Sequence, residues 1–130
     1  MTIKKPEIKK VSGVYIIHCL KNNRKYIGSS NDVFNRIKTH KRDLNRGSHN
    51  NLMLQNDYKK YGSVNFVFRI LDNNIPENML LAYEKVYMFI HDSIVRFKGY
   101  NQINSTVNHK LFKQAYFDLL EKGIVKNNNI

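Results

Sequence analysis

Residues 13 to 19, GVYIIHC, are a run of β-branched, aromatic and small side chains, and a second apolar run, KYIG, follows at 25 to 28. The polar stretch LKNNRK joins them and suits the turn of an antiparallel hairpin. Directly after the second run the apolar period changes from two to that of a helix. Val33, Ile37 and Leu44 fall on one helical face, behind Asn31 or Asp32 as cap and ahead of Gly47 as stop. A sheet begins the chain, and a helix must cover it.

The remaining pattern extends the same architecture. NNLMLQNDYKKYG, residues 50 to 62, predicts a second helix with Leu52, Leu54, Tyr58 and Tyr61 as its apolar residues and Gly62 as its end. VNFVFRIL, residues 64 to 71, is dense enough in apolar and β-branched types for a central strand. Pro76 sits well for the first turn of a long helix, in which Met79, Tyr83, Val86, Tyr87 and Ile90 share one stripe. A step of about 100° per residue puts Glu84 just off that stripe's edge. Irregular chain follows over 92 to 103, with a short strand around Tyr100, and a last helix over about 106 to 122 carries Leu111, Ala115 and Leu119 on one side. This order predicts a small α+β domain, one sheet covered by helices, with a C-terminal helix.

At 130 residues the chain has room for one ordinary domain. Its formal charge of +12 attracts polyanions, and nucleic acid is the partner this favours. No long apolar span or outward apolar helix face supports a membrane role. The N-terminal MTIKKPEIKK has no apolar core of the kind a secretion signal needs, so a cytoplasmic location is expected. Cys19 is the single cysteine, which rules out an internal disulfide and predicts a small packed side chain. The five histidines lack the paired spacing of a structural zinc site.

GVY at 13 to 15, YIG at 26 to 28, Arg36, His40, GSH ending at His49, Glu84 inside a later helix and GYN ending at Asn101 together resemble the GIY-YIG nuclease family, and within it the catalytic domain of phage and intron-encoded homing endonucleases. The likeness runs from about Ser12 to Asn101. Val14 stands where the family name has isoleucine, a swap between β-branched residues. The resemblance implies a three-stranded antiparallel sheet flanked by helices and metal-dependent hydrolysis of a DNA phosphodiester. It divides the chain into a basic N-terminal arm over 1–11, including Lys4 and Lys5, a nuclease domain over 12–104 and a C-terminal helical extension over 105–130.

That chemistry needs a deprotonated water, positive charge on the non-bridging oxygens and a cation for the developing alkoxide. Glu84 is the candidate ligand for Mg²⁺ or Mn²⁺, since Mg²⁺ is often held by one or two carboxylates plus substrate phosphate. Its plain alternative is a solvated helix residue paired with Lys85. Arg36 suits a phosphate clamp, with His40 one turn on, although both fit equally in a basic helix face with Lys38, Lys41 and Arg42.

Tyr15 is the candidate general base and Tyr26 a donor to water or phosphate. A phenol with a pKa of about 10 serves as a base only if neighbouring cations lower it. The alternative for both is a strand tyrosine with a buried ring and a wet hydroxyl. Gly28 marks a close approach of backbone or substrate, or else a bulge or strand end. His49 and Asn101 are supporting residues in the family, and Lys38, Lys41, Arg42, Lys59 and Lys60 are candidates for phosphate contact. The reading is a small stand-alone homing or phage-type DNA endonuclease, acting in a bacterial or phage-infected cell or in an organellar matrix. One active site cuts one strand at a time, so a double-strand break needs a homodimer or two visits. The alternatives are a restriction or repair nuclease, or a non-catalytic DNA- or RNA-binding module on the same fold.

Overall fold

The computed structural model describes residues 9–95, 99–102 and 108–125. Most of the basic arm and the first two residues expected of the last helix, 106 and 107, lie outside that set. The two early apolar runs form β1 (Gly13–Cys19) and β2 (Lys25–Ser30), and β3 is Phe66–Asn73. All pairings are antiparallel, in the order β2-β1-β3. A register shift between Val14 and Tyr15 adds a bulge to the β1–β3 ladder.

β1 is the centre, and its alternation divides the interior in two. Val14 and Ile16 join Ile27, Ala82, Val86, Met88, Ala115 and Leu119 in one cluster, while Tyr15, Ile17 and Cys19 join Val33, Leu44, Leu54 and Phe66 in another. One face of the sheet is therefore covered by α3 (Leu80–Ile90) and α4 (His109–Glu121), the other by α1 (Val33–Arg46) and α2 (Leu52–Tyr61). The expected three-stranded antiparallel sheet flanked by helices is the fold observed, α4 included. Cys19 is fully buried in the second cluster, as its composition implies.

The caps stand where the residue types put them. Asp32 accepts from the Asn35 N–H at 3.4 Å, and Gly47 ends α1 in the left-handed region at φ 77°. Asn51 caps α2 through the Leu54 N–H at 3.0 Å, and Asn108 caps α4 through that of Leu111 at 3.2 Å. Pro76 precedes a 3-10 turn, Glu77–Met79, that leads into α3.

Three expectations are corrected. VNFVFRIL is an edge strand rather than the central one, and it starts at Phe66 after the 3-10 turn Ser63–Asn65. Its apolar density arises because both faces are half covered: Phe68 and Ile70 pack on one cluster and Leu71 on the other. Leu52, expected on the buried face of α2, is 73% exposed; that helix turns Leu54 and Gln55 fully inward, with Tyr58 and Tyr61 packed beside them. Among the described residues, 99–102 form no strand. Asn101 makes a single parallel bridge to Ile94.

Asn101 explains how that irregular segment stays in place. Its side-chain oxygen accepts from the Ile27 N–H at 2.7 Å, and its amide donates to the Ile27 carbonyl at 2.8 Å. The free edge of β2 is thus closed by an amide that imitates a strand neighbour. Asn101→Ala would leave both buried backbone groups unpaired, and a loss of about 2–4 kcal/mol in urea unfolding is expected.

Candidate active site

Tyr26, Arg36, His40, His49, Glu84 and Asn101 line one hollow of about 600 Å³. They come from β2, α1, the loop before α2, α3 and the 99–102 segment. β2 is the reason they meet. It is an edge strand, so α3 packed across one face and α1 packed across the other both border its open side. Glu84, at the margin of the buried stripe Ala82, Tyr83, Val86, Tyr87, Met88, is half-buried and reaches that opening.

Tyr15 stands behind the hollow rather than in its lining. It is 1% exposed, and its hydroxyl is 2.6 Å from His40 Nε2. Gly28 is its direct partner across the β1–β2 ladder, and a Cβ there would lie 2.3 Å from both Cζ and the hydroxyl oxygen of Tyr15. The close approach expected at Gly28 is that of the Tyr15 ring, not of backbone or substrate.

His40, 2% exposed, continues the chain of contacts: its Nδ1 is 2.7 Å from His49 Nε2. His49 Nδ1 in turn accepts from the Asn51 backbone N–H at 3.0 Å. The His49 backbone N–H donates to Gln55 Oε1 at 3.0 Å, and Gln55 donates to the Leu44 carbonyl at 3.1 Å. The two imidazoles are stacked, with centroids 5.0 Å apart, and Tyr26 sits edge-on to His40 at 5.4 Å. Among the described residues every buried side-chain nitrogen and oxygen has a partner.

The electrostatics follow from this burial. His40 has its pKa lowered to about 3, first by loss of solvent and then by the positive charge of Arg36 and by His49. His49 is lowered for the same leading reason, against the pull of Asp43. Both rings are neutral at pH 7. Burial raises the Tyr15 phenol well above its ordinary value, with Tyr26 adding to the rise and Arg36 opposing it. The sequence expectation that cations would bring this phenol down therefore fails for the protein side chains alone, because desolvation outweighs one guanidinium at the rim. Tyr26 is also raised, by burial and then by Glu84. The Glu84 carboxyl is itself pushed up by burial, while Lys85 and the Ser29 backbone amide restrain it.

Lys38, Lys41, Arg42, Lys59 and Lys60 stay outside the hollow. Lys41 lies over the Phe68 ring at 4.9 Å, Lys60 over Tyr61 at 5.2 Å, and Arg42 pairs with Asp43 at 3.3 Å. The lining also holds residues that sequence reasoning left out: Asn51, Leu52, Met53, Tyr100 and, beside Glu84, Lys85. Asn51 carried a usable signal as a helix cap. Leu52 and Met53 carried none, since their exposure comes from where α2 begins. Among the described residues no group of three or more His, Cys, Asp or Glu side chains is arranged around a metal position. The carboxylates that line the hollow are Glu84 and Asp43, the latter paired with Arg42 at 3.3 Å.

This fold and this lining define a nuclease-type catalytic module, and the sequence comparisons agree: residues 11–128 match the profile of the GIY-YIG catalytic domain. The chain belongs to the GIY-YIG family. It is 36% identical over 95 residues to Intron-associated endonuclease 1 of Enterobacteria phage T4, which covers 73% of this chain and 38% of that protein. Probable intron-encoded endonuclease 1 of Neurospora crassa is 26% identical over 128 residues, 94% of this chain and 41% of its own length. The chain thus spans about two-fifths of these curated relatives. Among solved structures, the catalytic domain of homing endonuclease I-TevI superposes with a TM-score of 0.63 at 31% identity, covering 72% of this chain and 99% of that one. A variant of the same domain gives 0.64 at 32% identity, over 75% and 99%.

Proposed function

We propose that this protein is a divalent-metal-dependent DNA endonuclease of the homing or phage type. One observation carries the reading: Tyr26, Arg36, His40, His49, Glu84 and Asn101, scattered through the chain, line a single hollow on a molecule of formal charge +12. The residues suit Mg²⁺ or Mn²⁺. Glu84 is a half-buried carboxylate whose charge burial disfavours, so a hard cation beside it would relieve that cost, and one carboxylate is enough for an ion that keeps waters and takes phosphate oxygens. When bound, such an ion polarises the phosphoryl oxygens and neutralises charge on the leaving alkoxide.

The chain's own side chains do the rest. Arg36, exposed at the rim, grips non-bridging oxygens with its planar fork of donors. Tyr26 donates a hydrogen bond to the phosphate or the attacking water. Tyr15 can act as general base only when a bound cation lowers its phenol, which burial holds high; its hydroxyl is bonded to the ring of His40 in the hollow's wall. Asn101 braces the β2 edge, and Gly28 leaves room for the phenol.

Lys38, Lys41, Arg42, Lys59 and Lys60 hold the flanking phosphates without reading sequence. The working division is a basic arm over 1–11, a nuclease domain over 12–104 and a helical segment over 105–130, whose Ala115 and Leu119 brace α3 from behind. The site of action is a cytoplasmic compartment or an organellar matrix, and a homodimer would convert single-strand cutting into a double-strand break.

Supercoiled plasmid incubated with the protein and Mg²⁺ should relax to nicked circles and then to linear DNA, with both steps stopped by chelation. Cleavage should also weaken steeply between about 50 and 200 mM salt, as counterion release requires. Binding without cleavage in Mg²⁺ and Mn²⁺ would overturn the reading and leave a basic nucleic-acid-binding module.

A further inference from the structure

Three hydrogen bonds in the wall of the hollow have their proton positions fixed by a group that cannot rotate or titrate. The Asn51 backbone N–H is a donor only, and it points at His49 Nδ1 from 3.0 Å. Asn51 is itself held fast, since its side-chain oxygen caps the Leu54 N–H at 3.0 Å and its amide donates to the Tyr100 carbonyl at 2.7 Å. His49 Nδ1 must therefore be the bare nitrogen. In a neutral ring the proton then sits on Nε2 and is donated across 2.7 Å to His40 Nδ1. That places the His40 proton on its own Nε2, which donates across 2.6 Å to the oxygen of Tyr15. The opposite order would bring the His49 and Asn51 N–H groups face to face. Burial keeps both rings neutral at pH 7, so no third arrangement competes.

We propose that the Asn51 backbone amide, acting through His49 and His40, dictates the direction of the hydrogen bond at Tyr15, and that His49 is a positioning residue for this phenol. The consequence is chemical. His40 is a donor to Tyr15 and so does not accept its proton. If Tyr15 ionises, its hydroxyl proton must pass to water entering the hollow and not to His40, and the phenolate left behind accepts from an N–H already in place. A buried phenol whose charged form is disfavoured by desolvation gains most from such a donor. Histidine tautomers held by a second hydrogen bond serve the same purpose elsewhere, and a wrong tautomer costs several orders of magnitude in rate.

The catalytic part rests on the nuclease reading, whereas the proton order does not, so the two are tested by separate readouts. Long-range ¹H–¹⁵N spectra of the labelled full chain at pH 7 should show a protonated Nε2 and a bare Nδ1 on both His40 and His49. A proton on Nδ1 of either ring would overturn the proposal whether or not the protein cuts DNA. His49→Glu leaves only an acceptor beside His40, so the His40 Nδ1 should take up a proton and plasmid cleavage should fall by about 10²-fold or more. His49→Gln can accept from Asn51 with its carbonyl and donate to His40 with its amide, and it should retain the wild-type His40 signal and cleavage within about tenfold. Loss of cleavage in His49→Glu with the His40 nitrogens unchanged would make His49 a packing residue only and refute the relay. Should the variants not fold, the wild-type spectrum alone still decides.

Discussion

Glu84→Gln should remove plasmid cleavage almost completely while leaving the fold intact. The two side chains have the same shape, and the wild-type carboxyl is half-buried at the margin of the α3 stripe, where burial already disfavours its charge. A group whose folded pKa is raised weakens the fold above that pKa. Neutralising it at pH 7 should therefore leave the thermal midpoint unchanged or slightly higher.

Activity should behave in the opposite way. An amide is a poor ligand for a hard cation, and the other carboxylate of the lining, Asp43, is paired with Arg42; among the described residues no group of three or more His, Cys, Asp or Glu side chains is arranged to hold a metal. Transition-state stabilisation by a phosphate-bound metal amounts to several kcal/mol, which sets the expected loss at about 10³-fold or more. The check is the rate of supercoiled plasmid loss at saturating Mg²⁺, alongside a melting curve and a DNA-binding titration. Cleavage within tenfold of wild type would show that the ion, if there is one, does not rest on Glu84.

Gly28→Ala should damage both stability and activity. This glycine does not occupy a left-handed conformation, so its need is purely for space: the added methyl would meet the Tyr15 ring at 2.3 Å. The far end of a tyrosine can often swing aside, but this one has nowhere to go. Its ring is enclosed in the α1/α2 cluster, and its oxygen is bonded to His40, which is bonded to His49. Overpacking in such a place costs about 1–3 kcal/mol, and breaking the Tyr15–His40 bond adds about 1 kcal/mol.

A shift in the urea midpoint corresponding to about 2–4 kcal/mol is therefore expected. Cleavage should fall by at least about 10²-fold at temperatures where the variant is still folded. The second measurement separates the two effects, because a merely destabilised enzyme recovers its rate on cooling and one with a displaced phenol does not. Wild-type stability in Gly28→Ala would mean that the ring can move freely, and the hydrogen-bonded wall would then be far softer than its distances suggest.

Much of the secondary structure was legible in the sequence because it is written locally. Asp32 and Gly47 mark α1 through properties of single residues, an oxygen that accepts from the first turn and a backbone free to adopt positive φ. The strand character of β1 could likewise be read from the β-branched and aromatic types of seven consecutive residues. Glu84 could be placed at the edge of a stripe by counting helical turns. The strand order could not, because β3 is as apolar as a central strand and its edge position depends on where α1 and α2 leave room. Leu52 fits the apolar pattern of α2, yet it is exposed, because burial depends on which face of the helix meets the sheet. Lys85 was visible only as a neighbour of Glu84, and its place in the hollow depends on how α3 lies across β2.

The amino-acid sequence by itself determined the three strands, the main helices and the positive charge of the chain, since these depend on residue type and near neighbours. Only the tertiary structure decided that Tyr26, Arg36 and Glu84 share one hollow, that Tyr15 lies behind it, and that a backbone amide at Asn51 orders the protons of two histidines. Hydrogen-bond direction and desolvation are properties of what surrounds a group in space. Residues far apart in the chain supply that surrounding, and no local pattern records it.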